Sequence, residues 1–231
     1  MPASGKPGDT FGRVAEAYAR TRPPYSRAAI ERAAHELGLT SESSVLDLAA
    51  GTGKLTRVLR AAGLDVVPVE PLPAMRERVP GALDGTAEAI PLEDASVDGA
   101  TIGDAWHWFD QARAGAELAR VVRPGGVVAI LWQGPSGEET PAWAQRATEL
   151  IHNLRGESGE HPGFTPVEHR TVPFTYTTDR EGYLAFVSSM SYVASAEPAR
   201  REQLLTDLDA VVPDRVEIPY ATQAFLSRRR G

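Results

Sequence analysis

Apolar residues follow two alternating rhythms along this chain, short unbroken runs and three-to-four-residue spacings, and that alternation predicts strands interleaved with helices. The run around Val45, Leu46 and Leu48 predicts a buried strand, and Leu55, Val58, Leu59 and Ala62 predict a helix directly after it. Val66 to Val69 predicts a second strand, and Pro71-Leu72-Pro73-Ala74-Met75 opens a short helix with proline in its first turn. Val97 to Gly103 reads as another strand. A helix ending near Arg123 turns through Pro124-Gly125-Gly126 into a strand at Val127 to Trp132. Upstream, Asp9 or Thr10 caps a helix carrying Phe11, Val14, Ala15 and Tyr18 on one face. Arg22-Pro23-Pro24-Tyr25 breaks it, because the residue before proline avoids the helical region. A second helix then runs from about 26 to 37 and stops at Gly38. The last third predicts a helix over 140–155, a polar loop over 156–166 and a strand over 167–176. Helices over 180–190 and 197–211 and a final strand over 216–226, bent near Pro219, complete it.

The most informative stretch is Val45-Leu46-Asp47-Leu48-Ala49-Ala50-Gly51-Thr52-Gly53-Lys54-Leu55-Thr56. Strand, small-residue turn and helix in that order make the first half of a βαβ unit. Alanine and glycine at 49, 50, 51 and 53 let backbone approach a ligand closely. Glu70 closes the second strand run, 19 residues after Gly51, where a carboxylate is placed to accept hydrogen bonds from ribose hydroxyls. The turn lacks what phosphate-binding sites need. Thr56 stands where a dinucleotide fingerprint wants its third small residue, and no upstream glycine makes Lys54 part of a phosphate loop. Asp47, just before the turn, repels a pyrophosphate and favours a cation. S-adenosylmethionine carries ribose, sulfonium and ammonium but no phosphate, so it suits these residues better than NAD.

Composition narrows the class. A length of 231 residues suits one α/β domain with additions, and 42% hydrophobic content supplies a sizeable core. A net charge of −7 argues against a general nucleic-acid partner, which needs a basic face. The absence of cysteine excludes disulfides and thiolate chemistry. No apolar run has membrane-spanning length and the N-terminus lacks a signal-peptide core, so a soluble, cytoplasmic protein with no membrane partner is expected, as monomer or homodimer.

The central stretch resembles motif I of the class I S-adenosylmethionine-dependent methyltransferases, an acidic residue followed by G-x-G-x-G, with Ala49 in place of the first glycine. The phrase Phe11-x-x-x-Ala15-x-x-Tyr18-x-x-x-Arg22-Pro23-x-Tyr25 is similar to the N-terminal lid of the trans-aconitate methyltransferase-like branch. The resemblance implies a Rossmann-like α/β fold with a seven-stranded sheet, its last strand antiparallel, and an N-terminal helical lid. It implies a disordered 1–9 and a single domain over 10–231, with the lid at 10–38, the cofactor core at 44–133 and the remaining sheet and substrate lid at 134–231. By the same resemblance Tyr18 and Arg22 reach the methionine end of the cofactor, the arginine facing its carboxylate. Asp47, Ala49, Gly51, Thr52 and Gly53 form the turn, and Glu70 takes the ribose. Pro71 and Met75 pack on the adenine. The loop Gly85-Thr86-Ala87-Glu88 contacts the adenine edge; relatives carry an aspartate where Thr86 stands, which leaves Glu88 as a substitute partner for the amino group.

Three aromatics and a histidine crowd Trp106-His107-Trp108-Phe109 directly after the strand ending at Gly103 and Asp104. Such residues pack or line a pocket, at the carboxyl edge where open α/β sheets bind ligands. Asp104 is placed to meet the methionine part of the cofactor through its backbone. Methyl transfer needs alignment above all; a base adds roughly 10²–10⁴-fold for a hydroxyl or amine acceptor, and a carboxylate acceptor needs none. His107 is the candidate base or acceptor-orienting group, with packing as the alternative. No His and carboxylate spacing suggests a metal. Three readings follow: a methyltransferase acting on a small-molecule hydroxyl or carboxylate, an NAD(P)-dependent oxidoreductase, or a non-catalytic S-adenosylmethionine-binding protein. The missing third glycine and the absent Tyr-x-x-x-Lys pair count against the second.

Overall fold

The computed structural model describes residues 25, 27–36, 38–136, 140–152, 164–165, 168–194 and 196–231. The expectations for 1–9, for the helix carrying Phe11 and Tyr18, for Arg22 and for most of the polar stretch 156–166 lie outside these residues. The elements run α1 (Arg27–Glu36), β1 (Ser44–Leu48), α2 (Lys54–Ala61), β2 (Asp65–Val69), α3 (Pro73–Arg76) and β3 (Val97–Gly103). A 3₁₀ turn (Trp106–Trp108), α4 (Gln111–Val121), β4 (Val122–Pro135), α5 (Ala142–His152) and β5 (Glu168–Asp179) follow. α6 (Arg180–Ser189), α7 (Ser191–Ala194), α8 (Pro198–Val211) and β6 (Arg215–Arg228) complete the chain. The strand order is β2-β1-β3-β4-β6-β5.

The described residues gather into two compact units. The first, within 24–133, 157–172 and 222–231, holds the parallel strands. β1 is buried along Val45–Leu48, and its alternation divides the core. Val45 belongs to a cluster with Leu55 and Leu59 of α2, Val66, Ala129, Leu131 and Tyr25. Leu46 and Leu48 belong to another with Val69, Ile102, Trp106, Leu118, Val121 and Ile130. A strand with apolar side chains on both faces needs a covering layer on each, the arrangement of a parallel α/β sheet. Burying each such aliphatic side chain stabilises the fold by about 1.5–3 kcal/mol. In register, Leu48 stands opposite Val69 on one side and Ile102 on the other. The residues that follow, Ala49, Glu70 and Asp104, therefore emerge at one edge of the sheet.

The seven strands implied by the resemblance become six among the described residues. The missing one lies between β2 and β3, where Leu83 makes a single parallel bridge to Val69. Leu83 N–H donates to Pro68 O at 2.9 Å and Glu70 N–H donates to Leu83 O at 3.0 Å. The rung before it would need an N–H from residue 68, and proline has none; the rung after it would need the N–H of Leu72, which is donated to Glu70 Oε1. The expected turn at Pro124-Gly125-Gly126 is also different. β4 already begins at Val122, paired with Val97, and pairing resumes at Val127 with Gly99, so 123–126 bulge from within the strand, with Gly125 at φ 79°.

The second unit, within 134–156 and 173–221, has its own core. Tyr176 of β5 and Val216, Ile218 and Tyr220 of β6 pack with Ala144 and Ala147 of α5, Tyr183, Phe186 and Val187 of α6 and Leu204 and Leu208 of α8.

Candidate active site

The turn after β1 is built on left-handed backbone: Ala49 and Gly51 have φ 58°, and Gly53 has φ 77°. Alanine tolerates this conformation at a cost of roughly 1–2 kcal/mol, and Ala50 N–H fastens the turn to β2 by donating to Val69 O at 3.0 Å. The two glycines are needed for different reasons. A Cβ on Gly51 would meet only Met75 Sδ at 3.9 Å and Ala49 O at 4.0 Å, so the space beside it is open. A Cβ on Gly53 would come within 2.9 Å of Val79 Cγ2; its missing side chain serves packing at the start of α2.

Glu70 is 3% exposed and holds this turn. Its Oε2 accepts the N–H of Gly51 at 2.8 Å and its Oε1 accepts the N–H of Leu72 at 2.9 Å. Arg76 donates to the carbonyls of Glu70 and Pro71, both at 2.8 Å, fixing the start of α3, where Met75 is buried beside Gly51. Burial pushes the Glu70 carboxyl above its ordinary range, and the bonds from Leu72 and Gly51 oppose that rise.

Asp47 lies inward. It is 1% exposed, and Thr56 Oγ1 of α2 donates to its Oδ2 at 2.5 Å. Burial raises it to about 7, against the lowering effect of the Thr56 hydrogen bonds, and the charge of Glu70 adds to the rise.

Thr86 pairs with Ala89 in a one-residue antiparallel bridge, and Ala87 is buried. Glu88 Oε1 accepts the N–H of Asp110 at 2.9 Å, tying this loop to the residue that caps α4. Asp104, at the end of β3, has φ 53° and is 8% exposed. Tyr25 donates its hydroxyl to Asp104 Oδ2 at 2.9 Å, Gln133 N–H donates to Oδ1 at 3.2 Å, and Asp104 N–H donates to Leu131 O at 2.8 Å.

The aromatic run divides. Trp106 is fully buried, edge-on to Phe109 at 5.6 Å, whereas Trp108 is 39% exposed. His107 is half-buried, with ring centroids 4.8 Å from Trp108 and 5.2 Å from Trp132. The structure thus brings Gly51, Glu70 and Met75 together, joins Glu88 to Asp110, and turns Asp47 toward Thr56. Tyr18 and Arg22 lie outside the described residues. Sequence reasoning passed over Thr56, Arg76, Trp132 and Gln133 as site residues, and named Tyr25 only as part of a phrase. The Arg-Pro-x-Tyr spacing was the one signal that pointed at Tyr25.

These residues fit a ligand with hydroxyls and a positive charge. The Gly51 N–H that a phosphate would use is already given to Glu70. Each Glu70 oxygen retains acceptor capacity for a ribose hydroxyl. Thr52 Oγ1 is buried with no protein partner among the described residues, a polar atom left for a ligand or water to satisfy. Among the described residues no three histidines and carboxylates group as a metal site requires, and no helix is long and apolar enough to cross a membrane.

Residues 46–130 match the family described as a methyltransferase domain. An uncharacterized methyltransferase of Mycobacterium tuberculosis is 37% identical over 96% of this chain and 90% of its own. A malonyl-[acyl-carrier protein] O-methyltransferase of Pectobacterium atrosepticum is 37% identical over 58% of this chain and 56% of its own. Among solved structures, a protein of Anaeromyxobacter dehalogenans provisionally named a type II methyltransferase superposes with a TM-score of 0.62 at 22% identity, over 90% of this chain and 97% of that one. The last likeness concerns the fold; the M. tuberculosis relative, matched over nearly its whole length, concerns the family. The open carboxylate-lined turn and these matches agree, and the chain belongs to the class I S-adenosylmethionine-dependent methyltransferases, with S-adenosylmethionine as methyl donor.

Proposed function

We propose that this protein methylates an oxygen of a small-molecule acceptor, a hydroxyl or a carboxylate, and that His107 faces that acceptor. The observation that carries the reading is the seat of His107. It follows β3 directly at the edge shared with Gly51 and Glu70, half-buried between Trp108 and Trp132. The O-methyltransferase named for malonyl-[acyl-carrier protein] supports an oxygen acceptor, and the lid phrase from Phe11 to Tyr25 supports the trans-aconitate methyltransferase-like branch.

In this reading Glu70 accepts the ribose hydroxyls and the turn Ala49 to Gly53, with Thr52, lies along the cofactor. Met75 and Pro71 meet the adenine face, and Thr86, Ala87 and Glu88 its edge. Asp47 stands behind the turn, where ionisation above its raised value of about 7 would add negative potential at the cofactor edge. The backbone of Asp104, with Tyr18 and Arg22, holds the methionine end. Bound S-adenosylmethionine supplies a methyl group on a positively charged sulfonium. The protein's share is alignment, worth of order 7–11 kcal/mol in favourable cases, and exclusion of water. His107 takes the proton of a hydroxyl acceptor at an imidazole nitrogen, or hydrogen-bonds a carboxylate acceptor that has no proton to give.

The test is formation of S-adenosylhomocysteine with a panel of phenols, aliphatic hydroxy compounds, mono- and polycarboxylates and amines. Turnover confined to oxygen acceptors supports the reading, and turnover confined to amines refutes it.

A further inference from the structure

Tyr25 stands 79 positions before Asp104, and its hydroxyl reaches that carboxylate at 2.9 Å in the buried interior. Asp104 has φ 53°, a left-handed conformation that is uncommon outside glycine and that aspartate tolerates. Its position is held by bonds from Tyr25 to Oδ2, from Gln133 N–H to Oδ1, and from Asp104 N–H to Leu131 O. The carboxylate is thus engaged with β4 and Tyr25, and the orientation of the next peptide follows from that clamp. Ala105 continues it, and Ala105 O accepts the N–H of Trp108 at 2.9 Å, closing the 3₁₀ turn that carries His107. The fit around Tyr25 is close. A Cβ on Gly103 would stand 2.5 Å from the Tyr25 hydroxyl oxygen and 3.2 Å from Leu55 Cδ2, so the tyrosine seats there only because residue 103 is glycine.

We propose that Tyr25 is a positioning residue for the methyl-transfer site: acting through Asp104, its hydroxyl fixes the peptide that meets the methionine end of S-adenosylmethionine and the turn that presents His107. The proposal rests on the cofactor reading given above. Tyr25 itself touches neither cofactor nor acceptor in this role, and its hydroxyl acts through the bond to Asp104.

The experiment measures S-adenosylmethionine binding by calorimetry, the melting temperature without ligand, and turnover at saturating substrates for Y25F, G103A, Y25F/G103A and E70A. Y25F is expected to weaken cofactor binding about tenfold, the scale of one hydrogen bond to a charged group, and to lower turnover as well. G103A, which pushes the hydroxyl aside, gives the same defect by another route and stands in if Y25F does not fold. In the Y25F background the 2.5 Å contact with the oxygen is gone, while Cζ of residue 25 and Leu55 Cδ2 remain at 3.2 Å, so G103A costs less than it does in the parent; this non-additivity marks the shared contact. A lower melting temperature in Y25F with parental affinity and turnover overturns the proposal, because the bond then only stabilises the fold. Full additivity of Y25F and G103A overturns it equally. E70A separates the two levels: weakened binding there with a normal Y25F rejects the Tyr25 role alone, whereas parental binding in E70A rejects the cofactor reading and this proposal with it.

Discussion

The hydroxyl of Thr56, in the first turn of α2, donates to the carboxylate of Asp47, one residue before the end of β1, at 2.5 Å with both groups buried. A carboxylate so enclosed is costly to ionise, and the hydrogen bonds from the Thr56 hydroxyl and backbone offset only part of that cost. Because its charge would lie just behind the turn, the protonation of Asp47 couples the interior of the fold to the electrostatics of the cofactor edge.

That coupling has a sign that denaturation can read. Asp47 rises from 3.8 to about 7 in the folded protein, so between those values the native state holds a proton that the unfolded chain has released. The unfolded state binds fewer protons there, and stability from this group falls as pH rises from about 4 to about 7, with no further loss above. Asp98 and Glu117, held below their ordinary range, push the other way: they lose stability as pH falls. Only a difference isolates Asp47. D47N is expected to gain stability relative to the parent as pH rises through this window, measured by urea unfolding at several pH values. A difference that stays flat across the window would contradict the buried, uncharged Asp47.

Glu70→Ala removes the proposed ribose acceptor together with two backbone anchors, since Gly51 and Leu72 both donate to it. Cofactor affinity should fall tenfold or more, and unfolding should become easier by about 1–3 kcal/mol as two part-buried N–H groups lose their partner. The two bonds make this a loss of structure as well as of binding. Calorimetry together with urea unfolding checks both halves, and unchanged affinity would dismiss the ribose role.

Trp106 and Trp108 are two residues apart and should respond oppositely. Trp106→Ala empties a fully buried site and is expected to cost about 3–5 kcal/mol. Trp108→Ala, at 39% exposure, should change stability by about 0.5 kcal/mol or less while raising the KM of the acceptor. Equal destabilisation of the two would show that Trp108 is core and not pocket wall.

His107→Ala should reduce turnover of a hydroxyl acceptor by about 10²-fold or more, and of a carboxylate acceptor by less. Cofactor affinity should move by under about threefold, well below 1 kcal/mol. Near-normal turnover with every active acceptor, or a collapse of cofactor binding, would return His107 to a packing role between its two tryptophans.

By itself the sequence determined the local grammar: a strand, a small-residue turn and a helix around Gly51, an acid closing the next strand, and an aromatic cluster after Gly103. These are legible because strand and helix periods, glycine backbone freedom and motif spacing act over a few residues. The matched family agrees with that reading and removes the nicotinamide-dependent alternative. Tertiary structure decided the partners. Nothing local reveals that each Glu70 oxygen accepts a backbone N–H, from Gly51 and from Leu72, or that Asp47 faces Thr56 in the core. Nor does it reveal that Glu88 is tied to Asp110, or that Trp106 is interior while Trp108 is not. The implied extra strand shrank to one bridge at Leu83: on one side Pro68 has no N–H to donate, and on the other the Leu72 N–H is already given to Glu70. Tyr25 reaches Asp104 across 79 positions while packed in one cluster with Leu55, Ala129 and Leu131. Side-chain hydrogen bonds depend on which distant strands become neighbours, and periodicity carries no record of that choice.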